Sequence, residues 1–294
     1  MVEKQKTYLL KIKGVETNME KKSLLSNGIT FMYCLVAFTS IAIPLYMALI
    51  NSFKPNVHIF GDFISLPQPL DFSNFEHLFR VRNMFQFIRN SIFITTVVTV
   101  VSLVINPFIA YKIAMSWDSK FFRTCFYIVS SAMFVPPQTI MFPLIRQYYA
   151  LGLMNPVGLI VYYAVLIMPQ SVFLMVPYFR LFEKKLRNVA YLDGCKEINF
   201  YLKIFVPICK PVILSVTILS AIWTWNDFIM PLMILYSNPD AWTLPIFIFS
   251  FMGRYSANRG VAFAASQIAI MPLLMFYIFF HKKITRGFSI KNVY

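Results

Sequence analysis

Six long apolar runs fill most of this chain, and a polar stretch at residues 180–206 interrupts them. A helix needs about 20 consecutive apolar residues to cross a bilayer, because in lipid every backbone N–H and C=O must be satisfied inside the segment. Runs of that length occupy residues 28–50, 87–115, 121–149, 157–179, 207–236 and 262–280. They predict an all-α, polytopic membrane protein with six transmembrane helices. The third and fifth runs exceed a single crossing, which calls for tilt or a break. The interruption reads RLFEKKLRNVAYLDGCKEINFYLKIFV and is too charged to enter lipid. It lies between the fourth and fifth runs, where a soluble partner could dock.

The chain is 58% hydrophobic and only 13% charged, unlike an ordinary soluble domain. Its net charge of +15 does not point to nucleic acid, because the basic residues flank the apolar runs. Of the 27 Lys and Arg, only Lys54, Arg80, Arg82, Arg89, Arg146, Arg254 and Arg259 fall on the side of loops 51–86 and 237–261. The rest gather in the N-terminal segment, the short link after the second run, the interruption and the C-terminal tail. The positive-inside rule makes that second side cytoplasmic and places both termini there. The expected organisation is a cytoplasmic segment at 1–27, a first helix at 28–50 and an extracytoplasmic loop at 51–86. A transmembrane core at 87–281 follows, with cytoplasmic helices at 180–206, and then a tail at 282–294. The first run is too long for a signal-peptide core, and no small-x-small cleavage pattern follows it. Met19-Glu20-Lys21-Lys22 forms a natural start ahead of that run, so residues 1–18 read as a dispensable extension.

Several chemistries lack their residues. No glycine-rich phosphate loop ending in Gly-Lys-Ser/Thr occurs. Cys34, Cys125, Cys195 and Cys209 show no CxxC spacing, and His58, His77 and His281 are scattered, which argues against zinc or disulfide chemistry. Nothing suggests a catalytic triad. The expectation is a translocating subunit with no cofactor, no metal and no hydrolytic activity, driven from elsewhere.

Within the interruption, Phe182, Leu186, Val189 and Ala190 recur at helical spacing before Gly194, and Ile198, Tyr201, Leu202 and Phe205 recur after it. Gly194 suits a helix end because it tolerates positive φ. Pro207 then opens the fifth run, where a missing N–H costs little. The pattern is a helix–turn–helix on the cytoplasmic face. On composition it serves equally as a docking surface or as an amphipathic pair lying on headgroups.

These residues resemble a known family. Ala190-x-x-x-Gly194, with Ile204 and Pro207 at the proper spacing and Asp193 beside Gly194, is similar to the EAA signature of binding-protein-dependent ABC transporter permeases. Asn51-Ser52-Phe53-Lys54-Pro55, Asn90-Ser91 with Ala110-Tyr111, Pro136-Pro137-Gln138 with Pro143-Leu144, and Trp223-x-Trp225-Asn226-Asp227-Phe228 with Pro231-Leu232 resemble further segments of its carbohydrate branch. Gly287 and Lys291 resemble its ending. The likeness runs from about residue 51 to the C-terminus and is closest to the six-span subunit of the maltose-like permease pair. It implies a type-1 ABC permease architecture, a second permease subunit, two ATPase subunits, an extracytoplasmic solute-binding protein and a place in the plasma membrane of a prokaryote. It also implies that Asn188, Ala190, Asp193, Gly194, Ile204 and Pro207 contact the ATPase. The signature's glutamate is Asn188 here and its first alanine is Val189. Asn188 lacks a charged hydrogen bond worth about 1.5–3 kcal/mol, which Glu183 or Glu197 could supply instead.

Asp227 is the one acidic residue placed within a run, and an intramembrane carboxylate is a functional candidate. It lies about 30 Å along the helix from Pro207 at 1.5 Å per residue, near the outer face. Trp225, Asn226 and Asp227 are therefore either contacts for a polyol on the translocation path or interfacial anchors. Pro136, Pro137 and Pro143 kink the third run, beside a wet path or against neighbouring helices. The function expected is ATP-driven import of a carbohydrate by alternating access. The alternatives are an ABC permease for another solute and an ion-coupled secondary transporter, which needs a midplane carboxylate and repeated halves.

Overall fold

The computed structural model describes residues 2–80, 84–181, 184–251 and 258–287; Arg82, Phe182, Glu183, Arg254 and Lys291 lie outside them. Among the described residues all regular structure is helical. Helix α1 spans Val2–Ser52, α2 Asn56–Gly61 and α3 Ser73–Arg80. They are followed by α4 (Met84–Met115), α5 (Lys120–Ser131), α6 (Pro137–Ala150) and α7 (Pro156–Arg180). The interruption forms α8 (Lys184–Leu192) and α9 (Glu197–Phe200). A π-helical turn, Tyr201–Phe205, leads into α10 (Val206–Asn226). Then come α11 (Ile229–Leu235), α12 (Leu244–Ser250) and α13 (Arg259–Gly287).

Among the described residues, four helical stretches are long and apolar enough to cross a membrane: Asn27–Ser52, Met84–Met115, Pro156–Arg180 and Glu197–Asn226. A fifth exists if Lys120–Phe134 and Pro137–Ala150 are one span, but these meet at 97°. The sixth run is continuous helix within α13. The helix of α1 continues to Val2, well ahead of the first run.

The third and fifth runs are not single rods. In the third, Pro136 is extended (φ −60°, ψ 128°) and Pro137 opens α6. Adjacent prolines remove two helical N–H donors, and proline disfavours the helical state of the residue before it. The N–H and hydroxyl of Thr139 both bond the freed Pro136 carbonyl. In the fifth run, α10 stops at Asn226 and Asp227 is extended (φ −67°, ψ 135°). The Asp227 carboxylate then accepts the Ile229 N–H at 3.2 Å, an Asx-type turn that outcompetes helix continuation.

The core is a seam of α4 against α7, with α10 across both. At its heart the Asn106 side-chain N–H donates to Ser171 Oγ at 3.1 Å, both buried. Burial grades outward. The Glu197–Asn226 stretch is 56% buried within this chain, whereas Asn27–Ser52 is 6% buried and packs chiefly on α13. That first helix exposes Phe31, Tyr33 and Phe38, as a lipid-facing helix must.

The Asn74 amide helps to tie down loop 51–80. The Asn74 side chain donates to the carbonyls of Ser52 (3.0 Å) and Lys54 (2.8 Å). A Cβ at Gly260, at the start of α13, would meet that amide at 2.6 Å. Asn56 Oδ1 also accepts the Arg259 N–H at 3.0 Å. In the same loop, hydrogen bonds from the Ser65 side chain and N–H, and then from the Ile64 N–H, hold the Asp62 carboxyl below the usual carboxylate range, with Lys54 adding a smaller electrostatic pull. Gly260→Ala is expected to push Asn74 off both carbonyls. It should destabilise the purified protein by about 1–3 kcal/mol, read as a lowered unfolding midpoint in detergent. Asn74→Ala in the same background should add little further loss.

Candidate functional site

The interruption folds as the helical hairpin that its pattern predicts. Gly194 ends α8 with φ +79°. The Gly194 N–H bonds the Tyr191 carbonyl at 3.0 Å and the Cys195 N–H reaches back to Ala190 at 2.9 Å, the two bonds of a Schellman cap. No atom lies within 4 Å of a Cβ built there, so the constraint is the backbone angle and not space.

The apolar residues of the hairpin divide between two faces. Ala190, Phe200, Tyr201 and Phe205 are buried against α4, α7 and α10. Leu186, Val189, Leu192, Ile198 and Leu202 are exposed, Leu192 at 88%. The helical spacing seen in sequence therefore mixes two faces, and Ile198 and Leu202 do not join Tyr201 and Phe205 in the core. Asn188 and Asp193 are exposed, Ile204 is half-buried in the π turn, and Pro207 is exposed at the start of α10. Of the six signature positions, Asn188, Asp193, Gly194 and Pro207 are thus exposed, Ile204 is half-buried and Ala190 is buried. Glu197 is not free to replace the missing glutamate: it pairs with Lys112 of α4 at 2.7 Å. Arg187 donates to the Met115 carbonyl (3.3 Å) and to Tyr191 Oη (3.2 Å), and Arg180 lies 3.9 Å over the Trp117 ring.

The second site lies at the far end of α10. Tyr163 donates its hydroxyl to Asp227 Oδ2 at 2.9 Å, and its ring meets Trp223 edge-on with centroids 5.9 Å apart. Pro137, Gln138, Tyr162, Trp223 and Asp227 line a cavity of about 40 Å³ with Met141, Ile229 and Met230. The Tyr162 hydroxyl is buried and has no partner among the described residues. The two breaks, one at Pro136 and one at Asp227, thus meet on one cavity.

Trp225, Asn226 and Asp227 do not converge. Trp225 is buried, donates to the Ala269 carbonyl at 3.4 Å, and lines a different groove of about 260 Å³ with Thr95, Thr96 and Thr99 of α4. Asn226 is exposed and turns its amide back to the Ile222 carbonyl at 2.8 Å. Tyr162, Tyr163 and Gln138 are members of the cluster that sequence reasoning did not find. Tyrosines inside an apolar run read as core, and only the positions of the two breaks could have pointed to them.

A multi-pass helical bundle with a polar hairpin between two central spans is the architecture of a transport permease. The chain matches the family described as binding-protein-dependent transport system inner membrane component over residues 107–290, and it belongs to that family. It is a multi-pass translocation subunit and not an enzyme; ATP hydrolysis resides in a separate subunit in this family. It is 32% identical to the multiple sugar-binding transport system permease protein MsmG of Streptococcus mutans, over 92% of this chain and 98% of that one. It is 29% identical to the arabinooligosaccharides transport system permease protein AraQ of Halalkalibacterium halodurans, over 94% and 99%. The fold matches a chain in the crystal structure of a bacterial ABC transporter involved in the import of the acidic polysaccharide alginate. The TM-score there is 0.67 and the identity 21%, covering 89% of this chain and 96% of that chain.

Tyr163→Phe is expected to leave the half-buried Asp227 carboxylate short of a donor, at a cost of about 1–3 kcal/mol. Asp227→Asn retains an acceptor for the Tyr163 hydroxyl and should cost less. Unfolding midpoints of the two variants in the same detergent check the order.

Proposed function

We propose that this chain is a permease subunit of an ATP-driven ABC importer and forms part of the path for a carbohydrate by alternating access. It works with a second permease subunit, two ATPase subunits and an extracytoplasmic solute-binding protein, in the plasma membrane of a prokaryote with both termini cytoplasmic. The relatives whose names specify sugars support the substrate class. The observation that carries the mechanism is the hairpin α8–α9. It presents an exposed apolar patch on a polar segment, at the membrane face richest in Lys and Arg.

ATPase closure acts on that patch. The positions Asn188, Ala190, Asp193, Gly194, Ile204 and Pro207 frame the contact, with Ala190 and Gly194 shaping the hairpin and the exposed leucines meeting the partner. ATP and the loaded binding protein must both favour the outward-open state for import to proceed. On the opposite side, Asp227 and Trp225 mark two cavities beside α10. Aromatic faces and a carboxylate suit a polyol, and a carboxylate at this depth belongs against protein or water and not lipid.

The decisive experiment uses the transporter co-expressed with its ATPase subunits. Gly194→Asp forces a side chain into the left-handed region, which costs about 1–2 kcal/mol, and should abolish transport while leaving membrane insertion intact. A cysteine at Leu192 should crosslink to the ATPase; crosslinks to lipid alone reject the reading. Trp225→Ala and Asp227→Asn should each lower transport more than basal ATP hydrolysis. Normal transport per assembled complex in both removes them from the path and leaves them as anchors.

A further inference from the structure

Helix α4 is gripped at both ends by the parts of the molecule that face the two sides of the membrane. At its inner end, Lys112 pairs with Glu197 of α9 at 2.7 Å, and the Met115 carbonyl accepts from Arg187 of α8 at 3.3 Å. Both arms of the cytoplasmic hairpin therefore hold the last turn of one helix. Between them the Tyr111 ring lies 4.9 Å from Tyr201 and 4.7 Å from Phe205, centroid to centroid, so the hairpin rests on α4 through packing as well as charge.

At the outer end the same helix holds the segment that follows α11. Gln86 donates its amide to the Asp240 carbonyl at 2.7 Å. Asn90 donates to the carbonyls of Asp240 (2.9 Å) and Trp242 (3.0 Å). Ser91 Oγ accepts the Leu244 N–H at 2.8 Å. Four hydrogen bonds at three residues of α4, on two successive turns, thus fix residues 240–244, which follow α11. The Asn90-Ser91 pair, conspicuous in the sequence as the polar opening of an apolar run, forms three of them.

Between these ends α4 has 32 residues, about 48 Å at 1.5 Å per residue. Its one internal weakness is Pro107, since proline removes a helical hydrogen bond and permits a kink. The residue before it, Asn106, is bonded to Ser171 of α7, and the seam with α7 is the most extensive helix pairing in the fold. The proline is therefore braced against bending. The Lys112–Glu197 pair is half exposed, and such pairs add little to stability. Its worth lies in geometry.

We infer that α4 carries the motion of the cytoplasmic hairpin to the extracytoplasmic segment 240–244, with Lys112 and Arg187 as inner positioning residues and Gln86, Asn90 and Ser91 as outer ones. The inference rests on the proposed alternating-access function and names its transmission element.

The test uses the complete transporter in lipid nanodiscs, with reactive native cysteines replaced and spin labels at Ser237 and at Tyr149, both exposed. Distances between the labels are measured with and without ADP–vanadate. The wild type should change its distance distribution on trapping. Asn90→Asp removes both donor N–H groups at nearly constant shape, and Lys112→Glu opposes Glu197 with a like charge. Each should cut the nucleotide-induced population shift by about threefold, the scale of coupling such networks carry, with nucleotide trapping unchanged. Lys112→Glu combined with Glu197→Lys should restore it. Single variants that shift as fully as the wild type overturn this inference and leave the proposed function standing. A wild type that traps nucleotide without any change in distance overturns the proposed function itself.

Discussion

A bilayer core offers no water to a backbone amide, and that constraint governs this chain more than any single contact. Each unsatisfied N–H or C=O in lipid costs several kcal/mol, so helices may stop only where protein supplies partners. Both breaks within the apolar runs obey this. The carbonyl released at Pro136 is met by Thr139, and the turn at Asp227 is closed by its own carboxylate. Both repairs are local, and the two breaks lie together over α7, where Tyr162 and Tyr163 stand. Between them lies a small cavity where Gln138, Tyr162 and Asp227 stand among apolar side chains. Helices α4 and α7 run on unbroken through their internal prolines, Pro107, Pro169 and Pro177, and form the seam around which the broken elements arrange themselves.

The cytoplasmic hairpin follows a different logic. Water is available there, so its backbone can turn freely, and what needs explaining is its position. Aromatic rings seat it on the bundle: Tyr201 and Phe205 on Tyr111, and Phe205 again on Phe179 with ring centroids 4.9 Å apart. Polar contacts at Lys112 and Arg187 then set its orientation. The outward residues remain unused by the chain itself. A surface that combines rigid seating with spare apolar side chains is suited to transmitting force to and from another protein, and less suited to floating on lipid.

Much of this was legible in the residues. Run lengths located the helices, and Ala190, Gly194 and Pro207 marked the hairpin through backbone needs that only a few residue types meet. Two things were not legible. Periodicity could not separate the two apolar faces of the hairpin, since a residue that packs on α4 and one that awaits a partner look alike in a short amphipathic helix; Leu202 and Phe205 show this. Nor could apolar run length reveal that residues 207–236 stop at Asp227, because hydropathy is blind to an Asx turn. The same blindness led Trp225, Asn226 and Asp227 to be read as one patch. Neighbours in sequence at a helix end point in different directions, and here they address a groove, their own helix and a separate cavity.

The π-helical turn at Tyr201–Phe205 sets the bearing of the whole cytoplasmic face. A π turn holds one residue more than the α-helix it interrupts, and one residue is about 100° of rotation at 3.6 per turn. The wide turn takes up that residue, so the sequence patterns on its two sides are out of step by one position while the helical stretch runs on from Glu197 to Asn226. Wound as an ordinary α-turn, the same residues would turn the exposed leucines of α8 around the axis of α10 by about 100°. The compass heading of the docking face is in this sense written into a single surplus residue, at the point where soluble and membrane-embedded parts of the chain meet.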